Sequence, residues 1–334
     1  MKIVHSWLQM DSNHHQDKFF YQMTLLSILA AKKSFGNIHL YTNEEGKNHF
    51  EKFNFPYDSI STELEGMDVE RGGFAMGKLK TYTLQKEPFI HIDHDTFLFE
   101  GRHLPPSYRF YFGFPDLQQP FEMKSWLAIN ETYFQTYQEF SDLFEKEFYW
   151  KTNFDVIPNA SIFGGTDTET ISQVYNVLLE LYFNNKERFN SNKFSSCLLE
   201  QFLFFPIAEL LNEDVVCNNR WINDNSYIWS QDVPLTMYHG DVRIHGKHIF
   251  KIPRETKNIM GYETKNYDPK VRVLIDNWFG GFLHLAHLRD DVTIRWVMLE
   301  KLKKYYDAEK YLNRIDEIFP KKYAWEKNIF SSLL

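Results

Sequence analysis

The sequence predicts an α/β protein built on a mostly parallel central sheet with helices on its faces. Three observations predict it. Up to residue 99, short apolar runs alternate with longer segments of helical periodicity. Each apolar run closes on polar residues at its carboxyl end. One run, "PFIHIDHDTFLF" (88–99), carries two aspartates, Asp93 and Asp95, inside what otherwise reads as a buried strand.

The elements follow in order. "KIVHSWL" (2–8) reads as the first strand. "DKFFYQMTLLSILAAKKSFG" (17–36) has apolar residues at helical spacing and stops on Gly36. "NIHLYTN" (37–43) is the next strand, "NHFEKFNF" (48–55) a short helix and "GFAMGKLKTYTLQKE" (73–87) another helix. "RFYFGFPD" (109–116) reads as a strand, and 125–150 mixes strand and helix signals. "DVIPNASIFGGTDTETISQVYNVLLELYFNN" (155–185) reads as strand, glycine turn and helix, with Thr166 or Asp167 as the cap. "CLLEQFLFFPIAELL" (197–211) is an amphipathic helix, and 294–319 holds one or two more. Strand–helix–strand order implies parallel pairing through right-handed crossovers. Ligands bind such sheets beyond the carboxyl ends of the strands. His5-Ser6, Tyr41-Thr42-Asn43 and Asp93-His94-Asp95 all fall there, on one rim.

Composition narrows the function. The chain has 334 residues, 43% hydrophobic and 25% charged, the balance of a globular protein. A net charge of −8 argues against nucleic-acid binding by bulk electrostatics. Cys197 and Cys217 give neither a disulfide framework nor zinc spacing, so they read as buried thiols in a reducing compartment. The N-terminus turns polar too early for a signal peptide, and the longest apolar stretch, "MTLLSILAA" (23–31), is too short for a membrane span. A cytoplasmic protein is expected.

Residues two apart on a strand share a face, so Asp93 and Asp95 converge if the strand runs through them, and a turn there can do likewise. His91 would share the Asp93 face and His94 would point into the opposite layer. Paired carboxylates suit a hard divalent cation such as Mn²⁺ or Mg²⁺, which bridges them to a substrate's phosphates. The plainer reading is a solvated turn, but idle carboxylates beside apolar flanks are disfavoured.

With these segments in order, the chain resembles a GT-A-type glycosyltransferase, and more closely the retaining family 8 enzymes and a related uncharacterised bacterial group of glycosyltransferase-like proteins. The likeness rests on "IVHSW" (3–7), "IHLYTN" (38–43), "FAMGKLKTY" (74–82), "FIHIDHDTFLF", "IPNASIFGG" (157–165), "LLEQFLF" (198–204) and "FLHLAHLRDD" (282–291). It implies a GT-A-like domain over 1–334, with a nucleotide-binding half 1–115, an acceptor-side half 116–290 and C-terminal helices 291–334. It implies Mn²⁺ or Mg²⁺ on Asp93, Asp95 and His284, and a UDP-sugar as the expected donor for a carbohydrate acceptor. His5, Ser6, Asn43, Lys78, His94, Asn159, Gly164, Gly165 and Arg289 would bind substrate, and Gln201 and Glu200 would lie at the reacting sugar.

The sequence departs from the family pattern in places. Asn43 stands where Asp is frequent, Ala160 and Ser161 replace the glycine of the N-x-G-x-x-G-G turn, and His287 and Arg289 replace Gly and Lys of the late H-x-x-G-x-K segment. His239 and His245 rival His284, which is preferred because a C-terminal helix follows it. Plainer roles stay open as well: Lys78 as one lysine of a solvated helix face, the glycines as a turn, Glu200 and Gln201 as a satisfied buried pair. Trp221, Trp229 and Trp278 are open as sugar platforms or as core. The rival function is a catalytically silent nucleotide- or carbohydrate-binding protein on the same scaffold. A nucleotidyltransferase would bring glycines after the first strand, and "SWLQMDSNHHQD" has none.

Overall fold

A computed structural model describes residues 1–8, 18–70, 73–98, 109–117, 156–191, 196, 198–211, 227–229, 235–238, 241–244, 247–251, 255–259, 262–266, 282–284, 292–305 and 307–319. Cys197, Cys217, Trp221, Trp278, His239, His245 and Arg289 lie outside these residues.

The first strand, β1 (Lys2–Trp7), leads to α1 (Lys18–Phe35). Gly36 ends that helix with φ +87°, and its N–H donates to the Lys32 carbonyl at 2.8 Å. A glycine takes this left-handed position without the penalty a Cβ brings. Next come β2 (His39–Thr42) and α2 (Glu44–Glu51). The Asn43 side chain accepts from the Gly46 N–H at 3.0 Å, so it caps α2 and starts it four residues before the predicted 48. Then follow β3 (Ser59–Ser61), α3 (Met76–Thr83), β4 (Phe89–Ile92), β5 (Thr96–Leu98), β6 (Phe110–Leu117) and β7 (Val156–Gly165). The helix α4 (Thr168–Asn184) is capped by Asp167, which accepts from the Thr170 N–H at 3.1 Å and pairs with Arg109. After α5 (Lys186–Ser191), a π-helical turn (Leu198–Phe202) precedes α6 (Phe204–Leu211). Seven short strands follow: β8 (Tyr227–Trp229), β9 (Leu235–Tyr238), β10 (Asp241–Ile244), β11 (Lys247–Lys251), β12 (Glu255–Ile259), β13 (Tyr262–Asn266) and β14 (Phe282–His284). The chain then forms α7 (Val292–Lys303) and α8 (Ala308–Ile318).

The central sheet has seven strands in the order β3-β2-β1-β4-β7-β6-β8. Pairings β2–β3, β1–β2, β1–β4 and β6–β8 are parallel, while β7 runs antiparallel to both its neighbours. This is the α/β, mostly parallel architecture predicted above, with the C-terminal helices in place. A five-stranded sheet, β11-β10-β9-β14-β5, and a β12-β13 ribbon are additions that the sequence reading did not foresee.

Helices cover both faces of the central sheet. On one face α1, α7 and α8 bury Leu25, Ile28, Met298, Leu302 and Ile315 against Ile90 and Ile92. On the other, α3, α4 and α6 bury Leu79, Val174, Leu178 and Ile207 against Phe89 and Phe163. Successive β4 residues thus alternate between two cores, as strand geometry dictates. Each large apolar side chain so buried stabilises the fold by ~1.5–3 kcal/mol.

Candidate active site

The site begins where β4 stops. The Asp93 N–H donates to the Ser161 carbonyl at 2.9 Å, and the Thr96 N–H folds back onto the Asp93 carbonyl at 3.0 Å. Residues 93–96 therefore form a turn. Asp93 and Asp95 do not share one continuous strand, and the predicted strand 88–99 is two strands in two sheets. The site lies on the predicted rim: Val4 pairs with His91 and Ser6 with Tyr41, so the ends of β1, β2 and β4 come level.

On the α3 face, Lys78 reaches this rim. Its Nζ lies 2.7 Å from Asp93 Oδ1 and also bonds Glu200 Oε1. The Lys78 and Glu200 side chains are 11% and 7% exposed, while Asp93 keeps 32% of its side chain open. Glu200 is presented by the π-helical turn, whose Glu200 carbonyl accepts from the Tyr175 hydroxyl at 3.1 Å. Such turns recur at functional sites. Burial alone would lower the Lys78 pKa, but the Asp93 and Glu200 carboxylates outweigh it and hold the ammonium above the usual lysine value. Burial pushes the Asp93 carboxyl up. Lys78 opposes that shift and the negative charges of Glu200 and Asp95 reinforce it, leaving Asp93 well above the usual carboxylate range. Two carboxyl groups thus share one lysine.

His91 and Tyr82 border the cluster. Ser6 Oγ and His91 Nε2 are 2.8 Å apart, and His91 Nδ1 lies 3.9 Å from Asp93 Oδ1. The Tyr82 ring meets His91 edge-on at 5.2 Å. His91 Nδ1 and Tyr82 Oη are buried with no hydrogen-bond partner among the described residues. Burial first, then the Lys78 charge, depresses the His91 pKa, so the ring is neutral.

The opposite face is built differently. His94 sits among rings, with centroids 4.5 Å from His5, 5.6 Å from Trp7, 5.7 Å from Phe20 and 5.9 Å from Phe50. Its Nε2 donates to the Ser6 carbonyl at 3.0 Å. Burial lowers its pKa to about 4 despite that bond. His5 is fully buried, bonded to the Tyr57 hydroxyl at 2.8 Å and the Ser27 hydroxyl at 3.1 Å. Burial, then His94, keeps it neutral.

The structure brings together Asp93, Lys78, Glu200 and, through His91, Ser6. Asp95 lies close enough for its charge to act on Asp93. Gln201 follows Glu200 on the π-helical turn, half-buried. Asn159 lies two residues before Ser161 on β7, with its backbone paired to Phe114. His284 pairs with Thr96, which sets its backbone beside the aspartate turn. Asn43 caps α2, and His5 and His94 belong to the aromatic layer. Gly164 and Gly165 pair with Ile90 and Phe89, at the end of β4 away from Asp93. A Cβ on Gly164 would fall 2.0 Å from the Phe89 carbonyl oxygen, so close strand packing explains that glycine. Sequence reasoning put neither Tyr82 nor His91 among the site residues. Helical spacing could have found Tyr82, one turn after Lys78 on the same face. Strand alternation had already set His91 beside Asp93.

Oxygen atoms are the ligands that a hard cation takes. Asp93 and Asp95 offer carboxylate oxygens, and Asp93 already attracts one positive charge. Among the described residues no three His, Cys, Asp or Glu side chains are grouped to hold a metal. Nor is any helix among them long and apolar enough to cross a membrane.

This chain belongs to the family of unknown function DUF6734, whose model matches residues 1–260. A comparison with curated proteins finds no match. A solved structure titled "PaToxG Glycosyltransferase" aligns at 14% identity over 64% of this chain and 72% of that chain, with a TM-score of 0.35. That likeness to a glycosyltransferase is weak, and no argument about the site rests on it.

Proposed function

We propose that this family member is a glycosyltransferase that moves a sugar from a nucleotide-sugar donor, with a UDP-sugar expected, to a carbohydrate acceptor with the help of Mn²⁺ or Mg²⁺. One observation carries the reading: a two-aspartate turn at the carboxyl end of parallel strands, backed by a buried lysine–glutamate pair. The donor lies across the ends of β1, β2 and β4, and the acceptor enters from the second half of the chain. Asp93, Asp95 and His284 would hold the cation, which when bound would offset negative charge on the departing diphosphate. Lys78 and Arg289 add positive charge to the same oxygens. Glu200 and Gln201 take hydroxyls of the transferred sugar, and Asn159 borders its far side. The bond from the sugar's anomeric carbon to the diphosphate breaks and a bond to the acceptor oxygen forms. The acceptor's proton leaves on a phosphate oxygen, so no side-chain base is required if the resemblance to retaining enzymes holds.

The test is donor hydrolysis with Mn²⁺ over a panel of nucleotide sugars. We expect turnover by the wild type and a loss on the order of 10²-fold or more in Asp95→Asn. Equal turnover in the variant removes the metal role of Asp95. A second reading, a catalytically silent nucleotide- or carbohydrate-binding protein, draws on the Lys78–Asp93 ion pair, which compensates Asp93 without any metal. Calorimetric binding of a sugar that needs neither metal nor diphosphate, with no hydrolysis of any donor, favours it.

A further inference from the structure

We infer that Lys78 is a resident counter-ion that makes divalent-metal binding at Asp93 conditional on a nucleoside diphosphate. The inference rests on the glycosyltransferase reading and adds a regulation of the same site.

The geometry leads there directly. Lys78 Nζ stands 2.7 Å from Asp93 Oδ1, one of the two oxygens this carboxylate could offer a cation. An ammonium and a divalent ion cannot share that oxygen without strong repulsion, and the 11% exposure of Lys78 leaves little water to screen it. A metal on this carboxylate would therefore compete with Nζ for it. Lys78 has somewhere to go, because Glu200 Oε1 already holds it and Glu200 stays buried. The flexible stem can turn about that anchor. A diphosphate at the rim would give the Lys78 ammonium a second anion, so that Lys78 would be drawn from Asp93 toward phosphate oxygen and leave the Asp93 carboxylate to hold a cation. A second observation points to a ligand on this edge. His91 Nδ1, on a side chain 1% exposed, faces Asp93 Oδ1 at 3.9 Å with no hydrogen-bond partner among the described residues. Linkage makes the effect reciprocal, so metal and diphosphate each tighten the other's binding.

The experiment measures Mn²⁺ affinity by electron paramagnetic resonance and calorimetry, with and without UDP, in the wild type, Lys78→Met and Lys78→Arg. In the wild type, UDP is expected to tighten Mn²⁺ binding on the order of tenfold or more. Lys78→Met removes the charge and keeps the stem. It is expected to bind Mn²⁺ alone on the order of tenfold tighter than the wild type does. Lys78→Arg keeps the charge and is expected to bind Mn²⁺ alone as weakly as the wild type. Lys78→Met leaves Glu200 buried without its cation, so Lys78→Met/Glu200→Gln serves if the single variant does not fold, with the same tightening expected. Mn²⁺ binding in the wild type with UDP, but no tightening for Mn²⁺ alone once the lysine charge is gone, overturns the counter-ion role and leaves the proposed function standing. No Mn²⁺ binding by the wild type even with UDP overturns both.

Discussion

On one face of the rim, His94 is boxed by rings beside His5; on the other, one residue earlier in the chain, Asp93 shares a lysine with Glu200. Both places bury polar groups at the end of the same strand. The histidines give up their charge and keep their hydrogen bonds, and their surroundings are complete. The carboxylate side sets two acids against one lysine and leaves Asp93 partly open to solvent. A finished layer stabilises a fold, whereas an unfinished one is available to a ligand. The contrast separates structural polarity from functional polarity at a range where sequence spacing alone does not.

The comparison can be broken most directly at Glu200. Glu200→Ala leaves the buried Lys78 with only the partly exposed Asp93. Lys78 keeps one carboxylate, so the loss seen in urea denaturation is expected to stay below the ~3–5 kcal/mol of a buried charge left unpaired, at about 1.5–3 kcal/mol. A loss below about 1 kcal/mol would mean that water already reaches the pair. Next is acid sensitivity. His5, His91 and His94 are all held below the ordinary histidine value of 6.5. Below that pH the unfolded chain takes up protons that the folded chain refuses, so stability falls as pH drops through about 6.5. The fall continues toward about 4, where His94 itself accepts a proton. Each histidine contributes at most about 1.4 kcal/mol per pH unit, and Asp93, held above the ordinary carboxylate value, takes up a proton in the folded chain over the same range and offsets about one of the three, leaving roughly 3 kcal/mol per pH unit. Denaturation midpoints between neutral pH and pH 5 measure that slope; a flat profile would show that the folded histidines are charged. The smallest expected effect sharpens the contrast. His94→Phe keeps the ring among its neighbours and loses the bond to the Ser6 carbonyl. Stability at pH 8 is expected to change by less than about 1.5 kcal/mol, with the acid slope reduced by one histidine's share and donor turnover preserved. Collapse of turnover with stability intact would put His94 against a ligand and erase the distinction between the faces.

Local signals carried much of the fold. The helix predicted over 17–36 is α1 at Lys18–Phe35, because its apolar spacing and closing glycine agree. Asp167 is the predicted cap of α4. The helix predicted at 197–211 breaks at Leu203 between the π-helical turn and α6, because the apolar period does not register an added residue in one turn. The strand predicted over 88–99 splits, because the hydrogen bond from Thr96 to Asp93 depends on backbone geometry that an apolar pattern does not encode. The second sheet was missed because its strands are three to five residues long, too short to show a period. At the site, the aspartates were legible because carboxylates inside an apolar run are out of place. The union of Lys78 with Glu200 was not legible: the two lie on separate helical elements far apart in the chain, and only folding brings them together.

The turn at residues 93–96 has a mechanical consequence. It is where the backbone crosses from the seven-stranded sheet to the five-stranded one, and β14 is laced to β5 directly beyond it, Leu283 against Phe97 and His284 against Thr96. Whatever grips Asp93 together with the neighbourhood of Thr96 acts as a rivet through two plates. An occupant of this corner would add a fastening to the one that the turn and the shared core of Ile90, Ile92, Phe97 and Leu98 already make between the sheets.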